Sequence, residues 1–246
     1  MFSIFKKKSS VSVDLSALGT DMHSHLLPGI DDGSPDDATS LTLIKGLQHL
    51  GYRQFITTPH IMWDVHKNNA MSITNAHGQL QRSLEQEGLA VPVRAAAEYY
   101  LDDHFDDLLR KDVPLLTVKD NLVLVEFSFI TTPRNIKETL FELQIKGYKP
   151  ILAHPERYNY LVSQKNWYDE LKEAGCFFQL NLLSLTGYYG KIPNELAHYL
   201  IKKKYIDLLG TDLHHDRHLD ALRSSSSLMD GVKSLLDSGK ILNGSL

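Results

Sequence analysis

The chain has 246 residues, 42% of them hydrophobic and 23% charged, with a formal net charge of −4. That length buries a substantial core in one large domain or two small ones, and the mild acidity excludes a general nucleic-acid coat and a polybasic membrane patch. Cys176 is the single cysteine, so no internal disulfide forms and a reducing cytoplasm is expected.

The opening MFSIFKKKSS has no apolar run behind its lysines and does not read as a signal peptide. A soluble tail over 1–18 is expected; the alternative is that Phe2, Ile4 and Phe5 beside Lys6, Lys7 and Lys8 touch a membrane or partner surface. No segment approaches the roughly 18 consecutive apolar residues of a membrane span. With no Gly/Ser-rich or Pro-rich linker beyond the tail, 19–246 reads as a single domain.

The first predicted strand, 19–24, leads through "DMHSH", which sets Asp21, His23 and His25 on alternate positions and so on one side of an extended chain. The turn "PGIDDGSP" follows, and a helix is expected with Ser34 as N-cap, Pro35 at its first position and Asp37 three residues after the cap. Leu41, Ile44, Leu47 and Leu50 keep helical spacing until Gly51 stops it. A strand over 53–58 runs into His60, a helix spans about 69–87, and a strand over 92–98 ends at Glu98. The helix at 102–111 precedes "LVLVEFS" (122–128), a strand carrying Glu126. Helix 134–146, strand 150–154 ending at His154, helix 165–174 and strand 177–182 with Asn181 continue the rhythm. Helix 192–204, strand 205–211 running into Asp212 and His214, and a long helix over 217–238 complete it.

Seven strand–helix units predict a parallel α/β architecture, because each crossover supplies the helix parallel strands require. An open sheet and a closed barrel both satisfy that pattern. Every strand delivers a polar group at or near its carboxyl end, and in a barrel those ends converge on one face. A closed, TIM-barrel-like (β/α) arrangement is therefore expected.

An H-x-H pair alone says little in a chain with 12 histidines. Glu98 and Glu126 say more, because a carboxylate inside an apolar run must be paired, protonated or metal-bound, and those runs offer few nearby Lys or Arg residues to pair with. A salt bridge to a distant Arg is the bland reading. "TTPH", "AHPER" and "GTDLHH" add His60, His154, Asp212 and His214, with His215 expected to turn away. A mixed nitrogen–oxygen donor set suits Mn, Fe or Zn. Its excess over what one ion can use predicts two or three ions and points to hydrolysis of a phosphate ester. The other histidines, His49, His66, His77, His104, His198 and His218, are read as surface or packing residues. Arg157 and Arg217, each three residues past a candidate ligand, suit bidentate phosphate binding, with a surface ion pair as the alternative; Arg134 is a weaker third.

Taken in order, "DMHSH", "DDGSP", "TTPH", "AAAEYYLD", "VEFS", "AHPERY" and "GTDLHH" resemble the polymerase-and-histidinol-phosphatase (PHP) superfamily from about Thr20 to Arg217. The best match is its bacterial protein-tyrosine phosphatase branch, associated with capsule and exopolysaccharide operons. The resemblance implies a distorted seven-stranded (β/α) barrel, the PHP fold, with a trinuclear, typically Mn2+-dependent site. One ion would take His23, His25 and Asp212 and share Glu98; a second would share Glu98 and take Glu126 and His154. The third would take His60, His214 and Asp32, preferred over Asp31, while Arg157 and Arg217 would hold the phosphate. The implied substrate is a phosphotyrosine protein, the tyrosine-rich tail of a bacterial tyrosine kinase controlling polysaccharide export. Cysteine-dependent tyrosine-phosphatase chemistry is excluded, because Leu182 stands where C-x5-R needs its arginine. The same strand-end residues would equally serve a histidinol-phosphate phosphatase. A metal-binding docking protein without turnover would instead show a missing ligand position. A strand-binding exonuclease lacks its basic stripe.

Overall fold

The computed structural model describes residues 13–132 and 135–246, so the apolar–basic opening and Arg134 lie outside the described residues. Nine short strands, all paired in parallel, alternate with eight α-helices among the described residues. The strands are β1 (Thr20–Asp21), β2 (Gln54–Thr57), β3 (His60–Ile61), β4 (Val93–Ala95), β5 (Glu98–Tyr100), β6 (Leu122–Glu126), β7 (Lys149–Ala153), β8 (Phe177–Asn181) and β9 (Leu208–Gly210). The helices are α1 (Asp37–His49), α2 (Ala70–Gln86), α3 (Asp103–Arg110), α4 (Ile136–Ile145), α5 (Asn166–Glu173), α6 (Lys191–Lys203), α7 (Asp216–Ser224) and α8 (Leu228–Asp237). The result is a mixed α/β fold with two parallel sheets, ordered β1-β2-β4 and β3-β5-β6-β7-β8-β9.

The seven expected strands appear as nine because two of them break. Thr58 and Pro59 separate β2 from β3, and Ala96 and Ala97 separate β4 from β5. Proline has no N–H to give a ladder, yet the gap is spanned: Ala96 N–H donates to Thr57 O (2.9 Å) and Glu98 N–H to Pro59 O (3.0 Å). After β1 and β9 the chain pairs again, with a parallel bridge between Ser24 and Leu213, His25 N–H donating to Leu213 O (2.9 Å) and Asp212 N–H to His23 O (2.8 Å).

Two helix expectations change. Asp36, not Ser34, caps α1: its backbone is extended and its carboxylate accepts from Thr39 N–H at 2.8 Å. Ser34 is used to close the preceding turn, with its N–H donating to His25 O (3.0 Å) and its carbonyl accepting from Gly29 N–H (2.8 Å). The helix expected over 217–238 is two, α7 and α8, because Ser225 turns extended (ψ 114°) within the serine run, where side-chain hydroxyls compete with helical hydrogen bonds.

Most of the apolar core lies between strands and helices; α1 buries Leu43, Ile44 and Leu47 there, and α6 buries Leu196, Ala197 and Leu200. A smaller cluster draws from nearly every strand region: Met22, Ile56, Ala96, Val118, Leu124, Ile151, Ala153 and Leu208. Each large side chain so buried stabilises by roughly 1.5–3 kcal/mol. No helix among the described residues is long and apolar enough to cross a membrane.

Candidate metal and phosphate site

The carboxyl ends of the strands gather the imidazoles and carboxylates singled out in the sequence. The Nε2 atoms of His23 and His25 lie 3.4 Å apart. His23 Nε2 is 3.2 Å from Glu98 Oε2 and 3.4 Å from Asp212 Oδ1, and His25 Nε2 is 3.4 Å from each of those oxygens. Donors at about 2.1 Å from one tetrahedral ion are separated by roughly 3.4 Å. His154 Nε2 stands 3.1 Å from Glu98 Oε1 and 3.5 Å from Glu126 Oε1. Asp32 Oδ1 lies 3.6 Å from His60 Nε2 and 3.5 Å from His214 Nε2. The groups are contiguous: His60 also turns its Nδ1 to Glu98 Oε2 (3.1 Å) and Glu126 Oε2 (3.5 Å), and His25 reaches the Asp32 group.

Backbone shape delivers these side chains. His154 (φ 32°) and Asp212 (φ 50°) adopt the left-handed conformation at the ends of β7 and β9, a strain that non-glycine residues accept at few places. Two glycines are needed for close approach. A Cβ at Gly33 would stand 2.4 Å from the His25 Cβ and carbonyl oxygen, and one at Gly210 would meet the His23 Cβ and the Gln179 amide at 2.7 Å.

Hydrogen bonds fix which imidazole nitrogen keeps its lone pair. His23 Nδ1 donates to Gln179 Oε1 (2.8 Å), His25 Nδ1 to Asp31 Oδ2 (2.8 Å) and His214 Nδ1 to the Asp212 carbonyl (2.9 Å). Each leaves Nε2 free to ligate, the arrangement metal-binding histidines use. The two turn aspartates thus do different jobs. The Asp31 side chain is buried and also accepts from Gly33 N–H and His60 N–H; burial works against its charge, but His25 holds its pKa down at about 2. Asp32, held low chiefly by its hydrogen bond with His214, faces the His60 and His214 rings. Gln179 Nε2 donates to Asn181 Oδ1 (2.9 Å), and Asn181 Nδ2 donates to Asp212 Oδ2, so Asn181 orients a carboxylate. Asp21 does not join the cluster; it accepts from Thr211 N–H (3.0 Å) and Oγ1 (2.7 Å).

The donor set fits metal ions on two counts. Glu98 Oε2, Glu126 Oε2, His60 Nδ1 and His154 Nδ1 are buried without a hydrogen-bond partner among the described residues, a condition that costs about 1–3 kcal/mol per group unless something else satisfies it. The carboxylates also crowd one another: burial, then the charges of Glu98 and Asp212, push the Glu126 pKa well up.

Beside this cluster a cavity of about 230 Å³ is lined by Glu126, Phe129, His154, Arg157, Tyr189 and Asp212, with Asp32, His60 and three further histidines. Arg157 Nη1 donates to Asp212 Oδ2 (2.7 Å), and its guanidinium lies between the rings of Phe129 (4.8 Å) and Tyr189 (4.3 Å). Arg217 is exposed on the first turn of α7 and is not part of this lining. His215, expected to turn away, lines the cavity instead, and its Nδ1 caps α7 by accepting from His218 N–H (3.3 Å). His218 and His66, read as surface or packing residues, also stand at the site, His218 in the lining and His66 Nε2 at 3.9 Å from Asp32 Oδ1. Gln179 was legible in principle, two residues before Asn181 on one strand face; nothing in the sequence marks Tyr189. Cys176 is buried and its thiol is pushed up to about 12 by burial, so it offers no thiolate.

Residues 19–226 match the family described as capsular polysaccharide synthesis, CpsB/CapC. The chain is 32% identical over 196 residues to the tyrosine-protein phosphatase YwqE of Bacillus subtilis, covering 79% of this chain and 77% of that protein. It is 26% identical over 201 residues to the tyrosine-protein phosphatase CpsB of Streptococcus pneumoniae, covering 79% and 82%. Its fold is similar to a solved chain from crystal structures of B. subtilis YwqE and S. pneumoniae CpsB, described as unique metal-dependent tyrosine phosphatases. That match has a TM-score of 0.78 and 27% identity, covering 92% of this chain and 90% of the other.

Proposed function

The chain belongs to the CpsB/CapC family of capsular polysaccharide synthesis, and from that premise we propose that it is a metal-dependent protein-tyrosine phosphatase. The observation that carries the reading is the pair of His23 and His25 Nε2 atoms, 3.4 Å apart and each within 3.4 Å of Glu98 Oε2 and Asp212 Oδ1, beside a cavity lined by Arg157.

His23, His25, Asp212 and Glu98 would hold one ion, Glu98, Glu126 and His154 a second, and His60, His214 and Asp32 a third, with Mn2+ the preferred metal. Metal ions bound there supply the charge that activates water and neutralises a phosphoryl group. The chain's own contribution is position. Asp31, Gln179 and the Asp212 carbonyl hold three imidazoles with Nε2 toward the cluster. Arg157, held by Asp212 and walled by Phe129 and Tyr189, faces the phosphoryl oxygens with its remaining N–H groups; Arg217 adds charge at the rim. Phe129, 44% exposed and stacked on His154 at 5.5 Å, gives the substrate's phenyl ring an apolar wall. The phenol of tyrosine has a pKa near 10, so it leaves with less help from an acid than an aliphatic alkoxide.

Several finer readings go with this one. Pairing runs from each strand segment to the next, and residues 23–25 pair with 212–213; this supports a distorted seven-stranded (β/α) barrel in a single domain over 19–246. The proposed substrate is the phosphotyrosine tail of a bacterial tyrosine kinase controlling capsule or exopolysaccharide synthesis, met in the cytoplasm. The test compares kcat/KM of the manganese-loaded protein on a phosphotyrosyl peptide and on histidinol phosphate. A peptide preference of about a hundredfold or more, some 2.8 kcal/mol, is expected. The reverse preference would make the chain a small-molecule phosphomonoesterase, and turnover of neither substrate with metal bound would make it a binding protein.

A further inference from the structure

Tyr189 lines the cavity, yet its hydroxyl is buried with no hydrogen-bond partner among the described residues. A phenolic O–H is rarely left in that state, because burial without a partner forfeits its hydrogen bonds to water. The ring is held from several sides. It stacks on the Arg157 guanidinium at 4.3 Å and meets Tyr188 edge-on at 5.2 Å and His218 at 6.2 Å. Tyr189 therefore has a held ring and a donor without a partner among the described residues, at the wall where Arg157, the one cavity-lining arginine among those residues, stands. Arg157 spends Nη1 on Asp212, and Arg217 lies outside the lining. A dianionic phosphoryl group has three terminal oxygens to satisfy in that space, which bound metal ions and one partly engaged guanidinium would share with a further donor at the wall.

We propose that the Tyr189 hydroxyl donates a hydrogen bond to a non-bridging oxygen of the bound phosphoryl group, as the second protein donor beside Arg157. The assignment rests on the phosphatase reading. Burial, and then the nearby Asp212 charge, push the Tyr189 pKa up, which favours the O–H form that donates. The bond is made to the phosphoryl group and not to the leaving oxygen, so its value is the same whichever alcohol departs.

Tyr189→Phe removes the hydroxyl and keeps the ring over Arg157; Tyr189→Ala removes both. With the manganese-loaded proteins, metal content is measured by elemental analysis, the Kd of inorganic phosphate by calorimetry, and kcat/KM on a phosphotyrosyl peptide and on p-nitrophenyl phosphate. For Tyr189→Phe the expected result is wild-type metal content, a phosphate Kd raised roughly tenfold or more, and kcat/KM lowered by one common factor on both substrates, as for loss of a hydrogen bond to a charged group. An unchanged phosphate Kd with a deficit on the peptide far larger than on p-nitrophenyl phosphate would move the hydroxyl to the leaving group and overturn the proposal. Wild-type values throughout for Tyr189→Phe, with a defect only in Tyr189→Ala, would overturn it by assigning the residue to packing. If the wild-type protein turns over neither substrate, the phosphatase reading fails, and the phosphate Kd of Tyr189→Phe still decides the hydroxyl's role.

Discussion

On the amino-terminal side of β1 and β9, the buried Asn243 carboxamide is fully used: Nδ2 donates to Thr20 O (3.0 Å) and Leu209 O (2.6 Å), and Oδ1 accepts from Leu209 N–H (2.9 Å). On the carboxyl-terminal side, four buried atoms of Glu98, Glu126, His60 and His154 have no such partner among the described residues. Both regions bury polar groups in the same parallel sheets. The Asn243 amide is satisfied by the protein alone and so belongs to stability. The second region is crowded with donors and carboxylates that the fold does not satisfy, and that deficit marks a place built for something other than protein.

Substitutions on the two sides should therefore separate activity from stability. The largest effect is expected from Glu126→Gln, which removes the carboxylate lying 3.5 Å from both His60 and His154. Activity should fall on the order of a thousandfold with loss of bound metal, while the thermal midpoint of the chelated protein stays level or rises, because burial and the charges of Glu98 and Asp212 disfavour that carboxylate in the fold. A fall in that midpoint would erase the distinction between the two ends. Asn243→Ala should do the converse, costing about 3 kcal/mol of stability, or roughly 6–12 °C in a chain of this size, with unchanged kcat per folded molecule. Calorimetry alongside an assay of the folded fraction reads both.

Gln179→Ala sharpens the boundary, since Gln179 orients His23 and accepts from His154 N–H (3.2 Å). Metal affinity measured against a competing chelator should weaken about 10–100-fold; an unchanged affinity would reduce Gln179 to packing. Glu156 gives the smallest effect. It is buried, with Oε1 accepting from Asn181 N–H (3.0 Å) and Ser184 Oγ (2.7 Å), and burial raises its pKa from 4.5 to about 7. A raised acid favours the folded state fully below pH 4.5 and loses that contribution as pH climbs through 7. Glu156→Gln should flatten the pH dependence of stability over that window by on the order of 2 kcal/mol. Chemical denaturation of the chelated protein at several pH values reads it, and an unchanged slope would show that Glu156 does not titrate there.

Much of the site was legible because strand-end positions are fixed by short-range rules. The spacing in "DMHSH" put His23 and His25 on one side, and apolar runs around Glu98 and Glu126 marked carboxylates without local partners. What escaped depended on where the chain goes next. Arg157 and Arg217 have the same offset from a histidine, yet a 3-10 turn at Pro155–Arg157 draws one into the cavity, while the α7 start at Asp216 leaves the other exposed. His215 and His218 entered the lining because one caps the helix that carries the other.

The sequence by itself determined the alternation of parallel strands and helices, the residue types able to ligate and the exclusion of cysteine chemistry, because propensity, period and donor chemistry are local. Only the tertiary structure decided that Asp31 orients His25 while Asp32 faces His60 and His214, and that Tyr189 walls the cavity with a hydroxyl unpartnered among the described residues. Those outcomes depend on which distant backbone arrives within about 3 Å, and hydrogen bonds at that range are set by packing across the whole sheet rather than by neighbours in the chain.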